Sequence, residues 1–311
     1  MTKKAFERIS TGVFLLILIV LNANAQTKAK TGFGLPVDKS EFQVFIDGLS
    51  TKVQGRIGMS ALLIETGETV GYKADERFPM QSVYKFPIGM AALYAVDQGI
   101  LKLDKSVKVA NEEYVSAAQH SPLRDGNPDG AMVTVKELLR LAVSESDGTA
   151  SDVLMRLVGG AQSVMNYLQA IGITGVIVKN TEKELGATNS VQYDNWATPI
   201  QATLLLKQFQ LGKGLSVSSR ALLMQLMTDT QTGLQRLKGN LPPGTVVAHK
   251  TGTSGTREGI TAATNDIGII TLPNGRHIAI AVFVTDAKAD QTTREGAIAQ
   301  IARKVWEKYQ L

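Results

Sequence analysis

A serine and a lysine lie three residues apart, at Ser82 and Lys85, just before the apolar run from Phe86 to Val96. Residues at positions i and i+3 share a helix face, so the two side chains would meet at the start of a buried helix. A serine becomes nucleophilic when a neighbouring group takes its proton, and a buried lysine can lose enough charge to do so. The pattern predicts serine acyl transfer, although a helix-capping serine beside an unrelated lysine would look the same.

The segment Ser146-Asp147-Gly148 interrupts the apolar helical pattern that precedes it. A helix break of this kind can point a hydroxyl into a cleft, where Ser146 would relay a proton. A local turn stabilised by its own polar side chains is the alternative.

Residues Lys250-Thr251-Gly252-Thr253 lie on a predicted strand. Alternation along the strand puts Lys250 and Gly252 on one face and the two threonines on the other. An edge strand here would offer backbone hydrogen bonds to a peptide-like substrate, and Lys250 would attract the substrate carboxylate. The alternative is a solvated edge strand protected by its lysine.

Two glutamates, Glu182 and Glu184, lie in a polar and aperiodic stretch from Lys179 to Ala197. A long ordered loop of this type is usually kept for function. Either carboxylate could activate a water molecule, and each could equally be a solvated surface residue.

These candidate residues are positioned by strands at both ends of the chain and by helices in the middle. The strands are predicted at residues 57–65, 69–73, 246–253, 266–272 and 277–285, with a hairpin turn at 273–276. Helices are predicted at 40–54, across most of residues 100–230 and at 293–309. The pattern predicts one mixed sheet built from distant segments, beside a helical lobe, with a cleft between them.

Composition excludes several classes of function. The chain has 311 residues, no cysteine, three histidines and a formal net charge of +5. Disulfides are therefore excluded, and the scattered His120, His249 and His277 indicate neither a metal site nor a Ser-His-Asp triad. The mild positive charge does not predict nucleic-acid binding. We expect no metal, no cofactor and no nucleic-acid partner.

Residues 1–25 have the features of a secretory signal peptide. A basic start is followed by an apolar core at 13–21 and by Ala23-Asn24-Ala25, a cleavage site of the A-x-A type. The apolar core is short for a membrane span. We expect export to the periplasm with cleavage after Ala25, a mature protein of residues 26–311, and no stable membrane association.

In combination the motifs resemble the class A serine β-lactamases over nearly the whole mature chain, because S-x-x-K, S-D-x and K-T-G occur in that family's order and spacing. The resemblance implies an α/β (mixed α+β) fold with an antiparallel five-stranded sheet flanked by helices, beside an all-helical lobe, as in the β-lactamase and transpeptidase fold. One catalytic domain would contain the sheet lobe at about residues 26–80 and 230–311 and the helical lobe at about 81–229.

The resemblance also implies catalytic roles. Ser82 would be the acylated nucleophile, Lys85 its proton partner and Ser146 the relay to the β-lactam nitrogen. Counted back from the end of the family's omega loop, Glu182 falls on the deacylating general base, with Glu184 as the second choice. Whether Lys85 or Glu182 takes the proton during acylation is disputed for the family.

For substrate binding the resemblance implies the strand Lys250-Thr251-Gly252-Thr253, whose first two residues would hold the substrate carboxylate. Backbone donors of Ser82 and Thr253 would form an oxyanion hole, each worth about 3 kcal/mol. Arg236 would lie beneath the carboxylate, with Arg257 as an alternative, and His120 would lie at the cleft rim. Arg236 and His120 could equally be solvated surface residues.

Four positions depart from the family's commonest pattern. Gly148 and Gly186 stand where asparagines are usual. In the family, the asparagine at the first position touches the substrate side chain, and the asparagine at the second helps to hold the deacylating water. Asn180 and Asn195 occupy the positions of an arginine–aspartate salt bridge across the omega loop. Together with the run from Thr261 to Gly268, these changes resemble the extended-spectrum branch that includes the PER and VEB types, and imply a widened site for bulky oxyimino-cephalosporins.

The activity implied is hydrolysis of the β-lactam amide bond of penicillins and cephalosporins, hence antibiotic resistance, by an expected monomer whose partner is a small-molecule β-lactam. A penicillin-binding DD-peptidase is a rival, since it shares the serine and lysine motifs but deacylates antibiotics slowly. Glu182 and its loop favour the lactamase. A non-catalytic β-lactam or peptidoglycan sensor is a second rival, which would normally carry a membrane tether and a signalling segment.

Overall fold

The computed structural model describes residues 39–188 and 190–310. Its helices are α1 (Lys39–Val53), α2 (Lys85–Asp97), α3 (Pro122–Gly126), α4 (Val135–Ser144), α5 (Gly148–Leu157), α6 (Ala161–Ala170), α7 (Glu182–Leu185), α8 (Pro199–Gln210), α9 (Val217–Thr228) and α10 (Gln291–Tyr309). Short 3-10 helices cover Gln81–Tyr84, Asn111–Glu113 and Val191–Tyr193.

The strands are β1 (Arg56–Leu63), β2 (Thr69–Tyr72), β3 (Phe78–Pro79), β4 (Ser106–Val109), β5 (Ala131–Thr134), β6 (Val176–Ile177), β7 (Trp196–Ala197), β8 (Val247–Thr253), β9 (Thr256–Arg257), β10 (Ile260–Thr261), β11 (Thr264–Thr271) and β12 (His277–Thr285). The predicted signal peptide and its cleavage site at Ala25 lie outside the described residues. None of the helices in the described ranges combines the length and the apolar character that a membrane crossing requires.

The main sheet, within the described residues, contains five strands in the order β2-β1-β12-β11-β8, and each neighbouring pair is antiparallel. The predicted antiparallel five-stranded sheet is therefore confirmed. Strand β1 pairs with β12 along its whole length, starting with Arg56 opposite Thr285, so segments from the two ends of the chain meet at the centre of the sheet. The predicted turn at 273–276 joins β11 to β12, with Gly275 in the left-handed conformation that glycine adopts without steric cost.

The sheet separates two hydrophobic cores because β12 alternates its side chains between the two faces. Its even-numbered residues from Ile278 to Val284 join a core formed with α1 and α10. Its odd-numbered residues from Ala279 to Phe283 join the core formed with the helices of the middle of the chain. Both faces of β12 are consequently buried, and its sequence is nearly continuous in apolar residues.

Helix α2 lies inside the second of these cores. All its residues from Lys85 to Leu93 are buried, as expected of a helix that is apolar on every side. Pro87 is the third residue of the helix, where a missing backbone N–H leaves no intrahelical bond unmade. The turn before α2 is a 3-10 helix, Gln81–Tyr84, and therefore tighter than the predicted α-helical start.

Helix α8 fixes the end of the long polar loop against the sheet. Thr198 caps the helix by accepting a hydrogen bond from the backbone N–H of Gln201, and Pro199 follows at the first position, as the Thr-Pro sequence predicts. The helix lies against β1 and β12, where Thr203 Oγ1 is 3.0 Å from Ser60 Oγ in a buried hydrogen bond.

Candidate active site

Ser82 and Lys85 are in direct contact. Lys85 Nζ donates to Ser82 Oγ at 2.9 Å and to the Ser146 carbonyl oxygen at 2.7 Å. In a 3-10 turn side chains at i and i+3 eclipse, so this geometry aligns the two residues more closely than an α-helical turn would. The Lys85 side chain is 1 % exposed whereas Ser82 is partly exposed, so the hydroxyl is the accessible group of the pair.

The turn that carries Ser82 is held by three hydrogen bonds with two distant residues, Asn195 and Asn265. The backbone N–H of Met80 donates to the Asn195 carbonyl oxygen at 2.8 Å, and the buried Asn265 side chain donates to the Pro79 and Met80 carbonyl oxygens at 2.8 and 3.1 Å. Gln81 has a φ of 47°, a left-handed conformation uncommon for a side chain of its size. Such a conformation persists only where the surroundings enforce it, which makes the turn a rigid support for the hydroxyl.

Ser146 lies between α4 and α5 with a φ of 63°, again in the left-handed region. Asp147 caps α5 through the Ala150 N–H at 2.8 Å and also accepts from the Leu123 N–H at 2.6 Å. The break in the helical pattern is thus anchored on its buried side. The Ser146 hydroxyl accepts a hydrogen bond from Lys250 Nζ at 2.9 Å.

Strand β8 brings Lys250 to this hydroxyl and forms one edge of the main sheet, as predicted. Lys250 is fully buried, and burial together with the charge of Lys85 holds the pKa of its amine well below the ordinary value. On the opposite face, Thr251 Oγ1 is 2.6 Å from Thr232 Oγ1. Gly252 passes against the Ser82 turn so closely that a Cβ would overlap the Met80 carbonyl oxygen.

Glu182 completes a network around Lys85. Its Oε2 lies 3.1 Å from Lys85 Nζ and accepts a hydrogen bond from the Tyr84 hydroxyl at 2.6 Å. Burial opposes ionisation of Glu182, but the charge of Lys85 and the hydrogen bonds from Tyr84 and Lys85 outweigh it and lower the pKa of the carboxyl. The side chain is 15 % exposed and ionised, two features that a base acting on water requires.

Glu184 is not brought to this network. Its carboxylate accepts from the backbone N–H and the hydroxyl of Thr181 at 2.8 and 2.9 Å, and the Thr181 hydroxyl accepts from the Glu184 N–H. This is a capping box at the start of α7, and the side chain is exposed. The T-x-x-E spacing of Thr181 and Glu184 is a sequence signal that could have separated the two glutamates.

Two residues of the site were missed by the sequence reasoning, Tyr84 and Asp152. Asp152 accepts hydrogen bonds from the backbone N–H groups of Glu182 at 2.6 Å and Lys183 at 2.9 Å, so it holds the first turn of α7. Burial raises the pKa of Asp152 to about 7, although both N–H groups favour the carboxylate. The sequence offered two signals for these residues: an aspartate within a largely apolar helix, and a tyrosine next to Lys85 in the Ser-Lys motif. A buried carboxyl or phenol group needs a hydrogen-bond partner, so each was a candidate for the site.

The two glycines that depart from the family pattern lie against the Glu182 loop. A Cβ on Gly148 would be 2.6 Å from Glu182 Cγ. The place of a Gly186 side chain is taken by Gln119, whose amide oxygen would be 2.6 Å from a Cβ there and whose amide nitrogen donates to the Glu182 carbonyl oxygen. The space left at Gly148 is therefore occupied by Glu182, and the space left at Gly186 by Gln119.

Asn195 closes the loop through hydrogen bonds, because the uncharged Asn180 and Asn195 cannot form an ion pair. The buried Asn195 amide accepts from the backbone N–H groups of Lys179 and Asn180 at 2.7 and 2.9 Å and donates to the Asn180 carbonyl oxygen at 2.8 Å. The Asn180 side chain instead reaches Asp194 at 3.3 Å. One uncharged side chain thus replaces the salt bridge by bonding to backbone.

Arg236 lies beneath β8. Its side chain is 3 % exposed, forms a 3.1 Å ion pair with Glu295, and donates to Thr253 Oγ1 at 2.7 Å and to the Gly252 carbonyl oxygen at 3.2 Å. Arg257 is exposed on the short strand β9. His120 is exposed, with its ring 2.9 Å from the Glu145 carbonyl oxygen, and its own carbonyl accepts from the Gly148 N–H at 2.9 Å.

Comparison with known proteins identifies the family. A model of the β-lactamase enzyme family matches residues 41–309. The chain is 36 % identical to β-lactamase VEB-1 of Pseudomonas aeruginosa, covering 98 % of this chain and 99 % of that protein. It is 44 % identical to the extended-spectrum β-lactamase PER-1 of the same species, covering 75 % of each.

A solved structure supports the same family assignment. A representative class A β-lactamase from Bacteroides cellulosilyticus superposes with a TM-score of 0.82 at 33 % identity, covering 89 % of this chain and 99 % of that one. The family match at residues 41–309 includes the Ser-Lys turn, the Ser146 break and strand β8. The chain therefore belongs to the β-lactamase enzyme family, as a class A enzyme that hydrolyses the amide bond of β-lactams.

Proposed function

We propose that Ser82 is the nucleophile of a two-step hydrolysis. Ser82 Oγ attacks the lactam carbonyl carbon, the carbon–nitrogen bond breaks, and the nitrogen receives a proton through Ser146. A water molecule that gives its proton to Glu182 then attacks the ester, which releases the ring-opened acid and returns a proton to Ser82 Oγ. The contacts of Lys85 with Ser82 and Glu182, at 2.9 and 3.1 Å, carry this proposal.

The base that removes the Ser82 proton during acylation is one of two groups. Lys85 touches the hydroxyl directly, and Glu182 reaches it through Lys85. Both routes are compatible with the arrangement, since an ionised Glu182 can take the proton that Lys85 passes on.

Strand β8 is the proposed substrate-binding edge. Lys250 and Thr251 would hold the substrate carboxylate, and the backbone N–H groups of Ser82 and Thr253 would form the oxyanion hole. Gly252 supports this assignment because it lets the strand approach the Ser82 turn closely. Arg236 would act from beneath, through its hydrogen bond to Thr253 Oγ1.

The proposed substrates include bulky oxyimino-cephalosporins. Gly148 and the exposed His120 lie together beside Ser146, since the Gly148 N–H donates to the His120 carbonyl oxygen at 2.9 Å. Gly148 would not supply the contact to the substrate's acylamino group that the family's usual asparagine makes. The relative PER-1 is named as an extended-spectrum enzyme, which supports the proposal. Turnover of penicillins with none of cefotaxime or ceftazidime in steady-state kinetics would contradict it.

The two rival functions are less well supported. A DD-peptidase would share Ser82, Lys85 and Lys250 but would not need a carboxylate 3.1 Å from the lysine, and the family match and relatives favour the lactamase. A sensor would have no use for Glu182 as a base. Fast turnover of β-lactams by the purified protein separates both rivals from the proposal.

The deciding experiment compares the mature protein with its Glu182→Ala variant on a chromogenic cephalosporin, with intact mass measured during turnover. We expect the variant to accumulate an acyl-enzyme and lose steady-state turnover. The matched control is Glu184→Ala, which removes an exposed capping carboxylate two positions away and should keep turnover near the wild-type rate. Persistent fast turnover by Glu182→Ala would reject Glu182 as the deacylation base.

The proposed location is the periplasm, reached through the signal peptide of residues 1–25. The basic start, the short apolar core and the Ala23-Asn24-Ala25 site support export. The mature protein is proposed to act as a monomer, with a single catalytic domain and without a cofactor. N-terminal sequencing of protein from a periplasmic extract should begin at Gln26, and light scattering should give the mass of one chain.

A further inference from the structure

Two donors converge on one oxygen of Glu182. The Tyr84 hydroxyl donates to Oε2 at 2.6 Å, and Lys85 Nζ lies 3.1 Å from the same atom. Among the described residues, no donor is found on the other oxygen, Oε1. The carboxylate is therefore held asymmetrically, with one oxygen occupied by the protein and the other available.

We propose that Tyr84 is a positioning residue for deacylation, whose hydroxyl fixes Glu182 Oε2 so that Oε1 is presented to the attacking water. The inference rests on the proposed role of Glu182 as the deacylating base. It adds a residue that acts through Glu182 and does not touch the substrate.

The burial of Tyr84 makes it a firm anchor. The residue is fully buried in the core between α2 and the helices of the middle of the chain, so its ring cannot move without disturbing that packing. Burial and the nearby carboxylates of Glu182 and Asp152 raise the pKa of the Tyr84 phenol well above its ordinary value. The hydroxyl therefore remains protonated and acts as the donor.

Sequence position explains why this arrangement is rigid. Tyr84 is the last residue of the 3-10 turn that carries Ser82, and Lys85 is the next residue. Nucleophile, ammonium and hydroxyl donor thus belong to four consecutive residues, and a shift of the turn would move all three together. The Glu182 backbone is held separately by Asp152 at 2.6 Å, so backbone and carboxylate have independent supports.

The hydroxyl has two opposing effects on Glu182. Its hydrogen bond stabilises the carboxylate, which lowers the pKa and makes the group a weaker base. It also restricts rotation about the terminal torsion of Glu182, which is otherwise broad. Since misplacement of a catalytic group by about 1 Å can reduce a rate about 100-fold, we expect the loss of positioning to outweigh the gain in basicity.

The test is Tyr84→Phe, which deletes the hydroxyl and keeps the ring. Acylation and deacylation are measured separately with a chromogenic cephalosporin, by single-turnover absorbance and by intact mass. We expect deacylation to slow about tenfold or more, acylation to change less than twofold, and an acyl-enzyme to accumulate at steady state. The acid limb of the kcat profile should move to higher pH, because Glu182 loses a hydrogen bond that lowers its pKa.

Tyr167→Phe is the matched control. Tyr167 is also a buried tyrosine, but its hydroxyl has no partner among the described residues and lies on α6, away from Glu182. Its variant should keep both rates and the pH profile. Equal slowing of acylation and deacylation in Tyr84→Phe, with an unchanged acid limb, would indicate structural support only and overturn the inference. Wild-type deacylation in Tyr84→Phe would overturn it as well.

Glu182→Gln separates the inference from the proposal beneath it. If Glu182→Gln keeps fast turnover and accumulates no acyl-enzyme, the proposed base is wrong. If it accumulates one while Tyr84→Phe deacylates like the wild type, only the role of Tyr84 is wrong. In the double variant the tyrosine change should add less than a twofold further loss, because the base through which Tyr84 acts is already absent.

Discussion

A Cβ placed on Gly148 would lie 2.6 Å from Cγ of Glu182, closer than side-chain atoms approach one another. Gly148 begins α5, directly after the Ser146 break, whereas Glu182 begins α7 in the long polar loop. The lack of a side chain at one residue is therefore a condition for the position of the other. The glycine that departs from the family pattern and the proposed base form one structural unit.

The first prediction concerns Gly148→Ala. The added methyl group must displace Glu182 or the His120 carbonyl, which is 3.3 Å from the same Cβ position. We expect deacylation to slow about tenfold or more while acylation changes little, measured by single-turnover kinetics. The control is Gly296→Ala in α10, where a Cβ meets nothing within 4 Å and alanine favours the helix. Unchanged deacylation in Gly148→Ala would show that the Glu182 loop shifts to accommodate the methyl group, and would contradict the prediction.

The second prediction concerns Gly252→Ala. Its Cβ would overlap the Met80 carbonyl oxygen and lie 3.2 Å from the Val83 backbone nitrogen, so β8 must separate from the Ser82 turn. We expect a loss of about 1–3 kcal/mol in the free energy of unfolding, together with a fall in kcat/KM of about 100-fold or more. Urea denaturation and steady-state kinetics provide the measurements. Gly255→Ala, where a Cβ meets nothing within 4 Å, should match the wild type in both.

The third prediction concerns the pH dependence of folding. Burial raises the pKa of Asp152 from 3.8 to about 7, so the folded protein binds this proton more tightly than the unfolded chain. The contribution of Asp152 to stability is thus fully present below about pH 4 and is lost as the pH rises through 7. Asparagine cannot titrate, so the advantage of the wild type over Asp152→Asn should shrink between pH 4 and 7 and then level off.

Urea denaturation at a series of pH values tests this dependence on Asp152. The exposed Asp104 supplies the control, since Asp104→Asn should differ from the wild type by a nearly constant amount over the same range. A constant difference for Asp152→Asn as well would refute the prediction.

The fourth prediction concerns Arg236→Ala. It leaves Glu295 without its cation in a largely buried position, and loss of one partner of a buried pair costs about 3–5 kcal/mol. It also removes the donor to Thr253 Oγ1, so KM should rise. Chemical denaturation and kinetics measure the two effects. Arg303→Ala, which breaks an exposed pair with Glu307, should cost less than about 1 kcal/mol and leave KM unchanged.

Much of the fold could be predicted from the sequence because its signals are local. The hairpin at 273–276, the Thr198 cap and the alternation in β8 each depend on neighbours within a few residues. The contact between Ser82 and Lys85 is local in the same sense, since a single turn brings the side chains together.

The features that local patterns missed depend on partners distant in the sequence. The turn at Ser82 is a 3-10 helix because Gln81, in a left-handed conformation, and the bonds from Asn195 and Asn265 constrain the backbone. Those partners are more than 100 residues away in the chain, so no local pattern specifies them. The closure of the polar loop by Asn195, with one side chain bonded to backbone on three atoms, is likewise a tertiary feature.

The sequence by itself was enough to propose Ser82 as the nucleophile, Lys85 as its partner, Ser146 as the relay and β8 as the substrate-binding strand, since each motif carries its chemistry within a few residues. The count from the omega loop placed Glu182 before Glu184, but only the tertiary structure shows that Glu182 meets Lys85 and that Tyr84 and Asp152 hold it. Side chains two positions apart in a helical turn point in different directions, so α7 turns Glu184 back onto Thr181 and Glu182 towards Lys85. The T-x-x-E spacing locally predicts the capping role of Glu184, but the contact of Glu182 with Lys85 depends on where α7 lies against α5, which no local pattern specifies.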